Sequence, residues 1–289
     1  MDRESLLAKI KRLRIPAARL AKGMMSGAYR SAYKGRGMEF EELRPYSSDD
    51  DASLIDWAAS ARARSPYVKR FREERELSHL IVLDASASMF AGGRGEERYS
   101  HAAVTAALIA YAAAINRDKV GALIFSGGEA AIIPVKAGSA HAQALVDRVI
   151  SVQDHGGGSD LGEALAKAAL LLKRGGICYV ASDFKAEAWD GPLRELARRC
   201  TVIALHVKDP LDEDFPRVGL IELRDPETGR ALEAAGMFRS FRSAYAGTFK
   251  AREAEAKRAA REAGASWIEL RTTEDPVEAL VERFSRTRK

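Results

Sequence analysis

The sequence predicts an α/β domain built on a mostly parallel sheet with helices on both faces. Three observations carry this. "LIVLD", Leu80 to Asp84, is a continuous apolar run that ends in a carboxylate, the pattern of a buried parallel strand. Tyr99 to Asn116 is Ala-rich and helical. Beyond it, apolar runs alternate with helical stretches to the carboxyl end, as strand–helix–strand units require.

In order, Leu6, Leu7, Ile10 and Leu13 recur at helical spacing and predict a short amphipathic helix ending before Pro16. A Gly-, Ser- and Tyr-rich loop leads to about Gly37, and a polar, charged stretch runs from Glu39 to Glu76. After the Leu80 strand and the Ala-rich helix, "KVGALIF" and "AAIIPV" read as strands joined by a Gly127-Gly128 turn. Helices are expected at Ala140–Ile150 and Leu161–Lys173, strands at Ile177–Ser182 and Thr201–Val207, and a helix near Gly191–Arg199. "VGLIELRDPETGRALEA" reads as a hairpin turned by Asp225, Pro226 and Gly229. A charged helix from about Ser243 to Ala263, the strand "SWIEL" and a last helix from Pro276 close the chain.

The composition is that of an ordinary globule: of 289 residues, 46% are hydrophobic and 30% charged. No run approaches the roughly 20 apolar residues that span a bilayer, and the charged amino terminus shows no secretory signal. Cys178 and Cys200 stand alone in apolar runs, as small core residues of a cytoplasmic protein. Basic residues crowd the stretch before Gly37, from Arg3 to Arg36, opposed only by Asp2 and Glu4. Such an arm could meet nucleic acid, a membrane surface or an acidic partner, or form a solvated helix face, and the last is preferred. No interleaved aromatics suggest stacked bases, so nucleic acid is not expected.

In parallel sheets functional groups gather beyond the carboxyl ends of the strands. Three segments place oxygen-bearing side chains there: Asp84-Ala85-Ser86-Ala87-Ser88, Ser159-Asp160 after the Gly156–Gly158 run, and Ser182-Asp183. Carboxylates and hydroxyls are hard ligands of the kind Mg²⁺ or Mn²⁺ prefers. A site with two carboxylates leaves a divalent ion partly uncompensated, so one position stays exchangeable for an outside carboxylate. The alternative reading makes the serines helix and turn caps, and Asp160 reads as a helix-start carboxylate.

DASAS resembles the DxSxS signature of the metal-ion-dependent adhesion site (MIDAS) of von Willebrand factor A domains. The resemblance implies a Rossmann-like, von Willebrand factor A-like fold with Mg²⁺ (or Mn²⁺) held by Asp84, Ser86, Ser88, Ser159 and Asp183. Ser159 falls where that family usually has Thr. A second stretch, "GMEFEELRPYSSDDDASLIDWAASARARSPYVKRFREERE", resembles the hallmark of the bacterial domain-of-unknown-function family fifty-eight, with Asp49 in place of Gly and Ser53 in place of Arg. That resemblance implies a MoxR-type AAA+ ATPase as partner, with a role in assembling or activating a client protein.

The organisation expected is a basic, partly helical arm over residues 1–36, a family-specific segment packed on the core over 37–76, and the A-like domain over 77–289 with a hairpin insertion near 218–233. Within 37–76, Asp50, Asp51 and Asp56 are candidates to pair with Arg44, Arg62 and Lys69, around a buried Trp57. The rival enzyme reading takes Asp84 as the nucleophile of a metal-dependent phosphohydrolase, but such enzymes need a second Asp where this chain has Ser86. GxSxG, Walker A, GxGxxG and HExxH patterns are absent from the sequence. Among the histidines only His155, beside the glycine run, is expected near the site. The expectation is therefore a non-enzymatic, metal-dependent binding protein, with a scaffold carrying an incidental metal as the second reading.

Overall fold

The computed structural model of the chain describes residues 8, 10, 12–13, 16–21, 39–47, 50, 54–63, 65–72, 76–91, 97–153, 156–224, 227 and 229–286. Two units are distinguished, Tyr33–Glu76 and the remainder, Met1–Ala32 with Leu77–Lys289.

In the smaller unit β1 (Glu39–Pro45) pairs antiparallel with β2 (Tyr67–Arg72), and α1 (Trp57–Ala63) lies between them in the chain. Asp56 starts that helix: its Oδ1 accepts the amides of Ala58 and Ala59, each at 3.0 Å. Ser60 ties the helix to β2, donating from Oγ to Asp56 O at 2.7 Å and accepting from the Tyr67 amide at 2.8 Å. Arg44 pairs with Asp50 as expected. Trp57 departs from expectation: it is 73% exposed, because the Asp56 cap turns the first helical residue outward. Asp51 lies outside the described residues.

The larger unit begins its sheet with β3 (Ser78–Asp84), followed by α2 (Ala87–Phe90), α3 (Arg98–Ile115), β4 (Lys119–Ser126), β5 (Glu129–Lys136), α4 (Ser139–Ile150), α5 (Leu161–Leu171), β6 (Ile177–Ser182), α6 (Asp190–Ala197) and β7 (Thr201–Lys208). Then come α7 (Pro210–Glu213), β8 (Leu220–Arg224), β9 (Ala231–Ala235), α8 (Arg239–Glu262), β10 (Ser266–Arg271) and α9 (Pro276–Arg286). Six strands stand in the order β10-β7-β6-β3-β4-β5. All neighbours are parallel except β4 and β5. The Gly127-Gly128 turn explains the exception, since both residues have positive φ, +55° and +79°, as a tight hairpin turn demands.

Both faces of the sheet are covered, which is why β3 reads as an unbroken apolar run. Ile81 and Leu83 point into the core beneath α3 and α4, and Leu80 and Val82 into the one beneath α5 and α6. The alanines of α3 (102, 103, 106, 107, 110, 112 and 113) are all buried, so the helix lies close on the sheet.

The amino-terminal arm contributes to the first of these cores. Ile10, Leu13, Ala17, Leu20 and Ala21 are buried there, and Asn116 Nδ2 donates to Ala21 O at 3.3 Å. Among the described basic residues of the arm, Arg12 and Arg19 remain exposed. Pro16 opens the helical residues 16–21, as its fixed φ favours at a first helical position. The α8 helix starts at Arg239, earlier than its charged sequence suggested. Phe241 and Tyr245, spaced i and i+4, both pack on Phe215 at centroid distances of 5.2 and 5.0 Å. Among the described residues no helix is long and apolar enough to cross a membrane.

Leu20→Ala is expected to lower stability by about 2–5 kcal/mol in denaturant unfolding, and Arg19→Ala by no more than about 0.5. Equal, negligible effects would show that the arm is not part of the core.

Candidate metal centre

The central strands β3 and β6 are neighbours, and each ends in a carboxylate, Asp84 and Asp183. Asp84 is fully buried and held on every side. Its Oδ1 accepts the Ser86 amide at 2.9 Å. Its Oδ2 accepts the hydroxyls of Ser159 at 2.9 Å and Ser182 at 2.7 Å. Ser86 and Ser88 stand together with Oγ atoms 3.2 Å apart. The oxygen-bearing residues read from the sequence (Asp84, Ser86, Ser88, Ser159 and Asp183) thus occupy one end of the sheet.

The glycine run brings the Ser159 loop there. A Cβ on Gly157 would lie 2.8 Å from the Gly127 amide nitrogen, so only glycine allows the loop to close on the β4–β5 turn. Gly127 N donates to Gly158 O at 2.8 Å, and Ala87 N donates to Gly157 O at 2.9 Å, tying the loop to both neighbours. Asp160 stands at the N-cap of α5, matching its reading as a helix-start residue. His155 lies outside the described residues.

The third loop is held in a strained form. Phe184 has φ +53°, unusual for a bulky residue, and its amide donates to Ser182 Oγ at 3.0 Å. Its ring is wedged against Trp189 and Trp267 at 5.3 and 4.9 Å between centroids. Ser182 was read from the sequence as part of the third oxygen-bearing segment but not among the ligands, and it bonds both Asp84 and the turn that carries Asp183. Its place as the last strand residue was the available signal.

Charge is unevenly met in this site. Burial and the neighbouring Asp183 push the Asp84 carboxyl up to about 6. Asp183 is 3% exposed, and its Oδ2 makes no hydrogen bond. The Lys185 ammonium approaches that oxygen at 3.3 Å, but off the direction a hydrogen bond needs. Lys185 is shared with Asp212 at 3.1 Å, and Arg98 grips Asp212 with two bonds of 2.9 Å. Burial raises the Asp212 carboxyl, but Lys185 and Arg98 outweigh it and hold the group below the usual range. Lys185 is thus shared between Asp183 and Asp212, Arg98 is committed to Asp212, and the direct partners of Asp84 are hydroxyls and an amide. Two hard carboxylates, three hydroxyls and one carboxylate oxygen without a hydrogen bond match the chemistry of Mg²⁺ or Mn²⁺. Among the described residues no group of three or more His, Cys, Asp or Glu side chains is arranged to hold a metal.

The family described as "Protein of unknown function DUF58" matches residues 42–255. The Mycobacterium tuberculosis protein Rv1480, described as uncharacterized, is 30% identical over 292 residues, spanning 100% of this chain and 92% of its own length. Its Mycobacterium bovis counterpart Mb1516 matches to the same extent. Among solved structures, an aerotolerance-related membrane protein of Bacteroides fragilis superposes with a TM-score of 0.50 at 19% identity, over 73% of this chain and 98% of that one. The SpRpn10 VWA domain gives a TM-score of 0.41 at 10% identity, over 72% of this chain and 95% of that one. The fold is α/β with a mostly parallel central sheet.

The raised Asp84 carboxyl has a consequence for stability. The folded state holds this proton more tightly than the unfolded chain, so its contribution is full below about pH 4 and is lost as pH rises through about 6. Urea unfolding in EDTA across that window is expected to show stability falling with pH, with a shallower fall in Asp84→Asn. Identical slopes for the two proteins would contradict a buried Asp84 facing Asp183.

Proposed function

The chain belongs to the DUF58 family, and from that premise we propose that it is a metal-dependent protein-binding protein acting through the strand-end site. Mg²⁺ or Mn²⁺ would be held by Asp84, Ser86, Ser88, Ser159 and Asp183, partly through waters, with one position left for a partner's carboxylate. The observation that supports this most is the buried pair of carboxylates on adjacent strands, Asp84 bonded by serine hydroxyls and Asp183 with an oxygen that makes no hydrogen bond. With the ion in place, a partner's Asp or Glu is attracted. Without it, the same residue meets Asp84 and Asp183 as like charges. The partner proposed is a MoxR-type AAA+ ATPase, with which the protein would assemble or activate a client.

Catalysis by Asp84 is disfavoured. Both of its oxygens are engaged in hydrogen bonds, and Ser86 stands where a phosphohydrolase of that type needs a second carboxylate. The protein is proposed to be a binding module rather than an enzyme.

Calorimetry is expected to show one Mn²⁺ or Mg²⁺ site, weakened at least about 10- to 100-fold by Asp84→Ala, the range typical even of residues that only support metal ligands. The same affinity in wild type and Asp84→Ala would remove the metal reading. Capture of a MoxR-type AAA+ ATPase by the full chain should fall in EDTA and in Asp183→Ala. Capture indifferent to both would place the contact elsewhere.

A further inference from the structure

At the start of α8, bulky apolar side chains and uncompensated positive charge stand side by side in water. The chain enters the helix through a turn that the Phe238 amide closes on Ala235 O at 3.1 Å. Gly236 is buried inside that turn. The residues after it are not: Met237 is 54% exposed and Phe238 59%. Leu220, which pairs with Ala235 across the β8–β9 ladder, is 62% exposed. Single exposed apolar residues are ordinary, but three at one turn and the strand end beside it form a patch.

The charge beside this patch is one-sided. From Arg239 to Arg252, α8 carries Arg239, Arg242, Lys250 and Arg252 and no carboxylate. Its first turn holds no acid, and its N-cap is Phe238, which makes no side-chain cap bond. Cations at the positive end of a helix dipole work against the helix. An anionic partner would relieve that repulsion.

Three arginines meet in one place. Arg217, Arg239 and Arg242 line a groove of about 590 Å³, and Asp214 is the one acid among its described lining residues. Arg242 is fixed there, donating to Gly236 O at 2.7 Å and Met237 O at 3.2 Å, so a guanidinium lies directly beside the apolar turn. Among the described residues no carboxylate forms an ion pair with any of the three. Apolar side chains on a turn with cations at their base fit a bilayer surface. The apolar groups enter the acyl boundary while the guanidinium groups stay at the level of the phosphates. An acidic protein segment would satisfy the arginines, but would also need a pocket matched to Met237 and Phe238; a bilayer needs none.

We propose that Met237, Phe238, Arg217, Arg239 and Arg242 form a docking surface for membranes rich in anionic phospholipid, with headgroup phosphates taken up in the arginine groove. The surface shares no residue with the strand-end site, so it stands or falls separately from the metal reading.

The test is flotation of the full chain with vesicles of phosphatidylglycerol and phosphatidylcholine in equal parts, against vesicles of phosphatidylcholine alone. Wild type should bind the anionic vesicles at least about tenfold more tightly, and less so as NaCl is raised. Arg217→Gln combined with Arg239→Gln should weaken that binding roughly 30-fold, since each basic residue near an anionic surface counts about fivefold. Phe238→Ser should weaken it about tenfold. Serine is the better N-cap, so unfolding of α8 does not explain such a loss. If both variants bind as wild type, the proposal is overturned and the basic residues before Gly37 carry the contact. If the arginine variant loses binding but Phe238→Ser does not, the contact is purely electrostatic and insertion of the turn is overturned. A wild type that ignores both kinds of vesicle overturns the membrane as occupant.

Discussion

Two carboxylates at the ends of adjacent central strands are the constraint on which the rest of the site depends. Asp84 and Asp183 lie where the sheet's own packing removes water; Asp183 has beside it the Lys185 it shares with Asp212, and the direct partners of Asp84 are hydroxyls and an amide. A fully buried, unpaired charge is costly. The fold meets part of that cost with hydroxyls: Ser159 and Ser182 on one Asp84 oxygen and the Ser86 amide on the other. Hydroxyls and an amide stabilise charge without cancelling it. That residual deficit is what a divalent ion would fill.

The surrounding structure keeps the deficit in place. Gly157 allows the Ser159 loop to lie against the β4–β5 turn, and the left-handed Phe184 aims Asp183 while its ring is locked between Trp189 and Trp267. On the flank, Arg98 is committed to Asp212, a pairing that joins the start of α3 to the turn after β7, and Lys185 is shared between Asp212 and Asp183. In the amino-terminal arm, apolar residues complete the core against α3 while Arg12 and Arg19 stay in water.

Much of this was legible in the sequence because it follows from periodicity and turn chemistry. The unbroken apolar run at Leu80–Leu83, the Gly127-Gly128 turn and the three oxygen-bearing strand ends each have local signatures, and the strands and segments they predict are present. What escaped notice depends on distant pairings. Arg98 and Asp212 are far apart in sequence, and nothing local announces their bond. Ser182 was visible as a strand end but not as a second support for Asp84. Trp57 was expected inside, since tryptophan favours burial; its position directly after a capping aspartate turned it outward.

A divalent ion is proposed at the ends of β3 and β6. Diffraction at the manganese edge from crystals grown with MnCl₂ tests it most directly. The account predicts a single anomalous peak among the oxygens of Asp84, Ser86, Ser88, Ser159 and Asp183. A peak elsewhere, or none at that site with Lys185 turned in to bond Asp183, would contradict it.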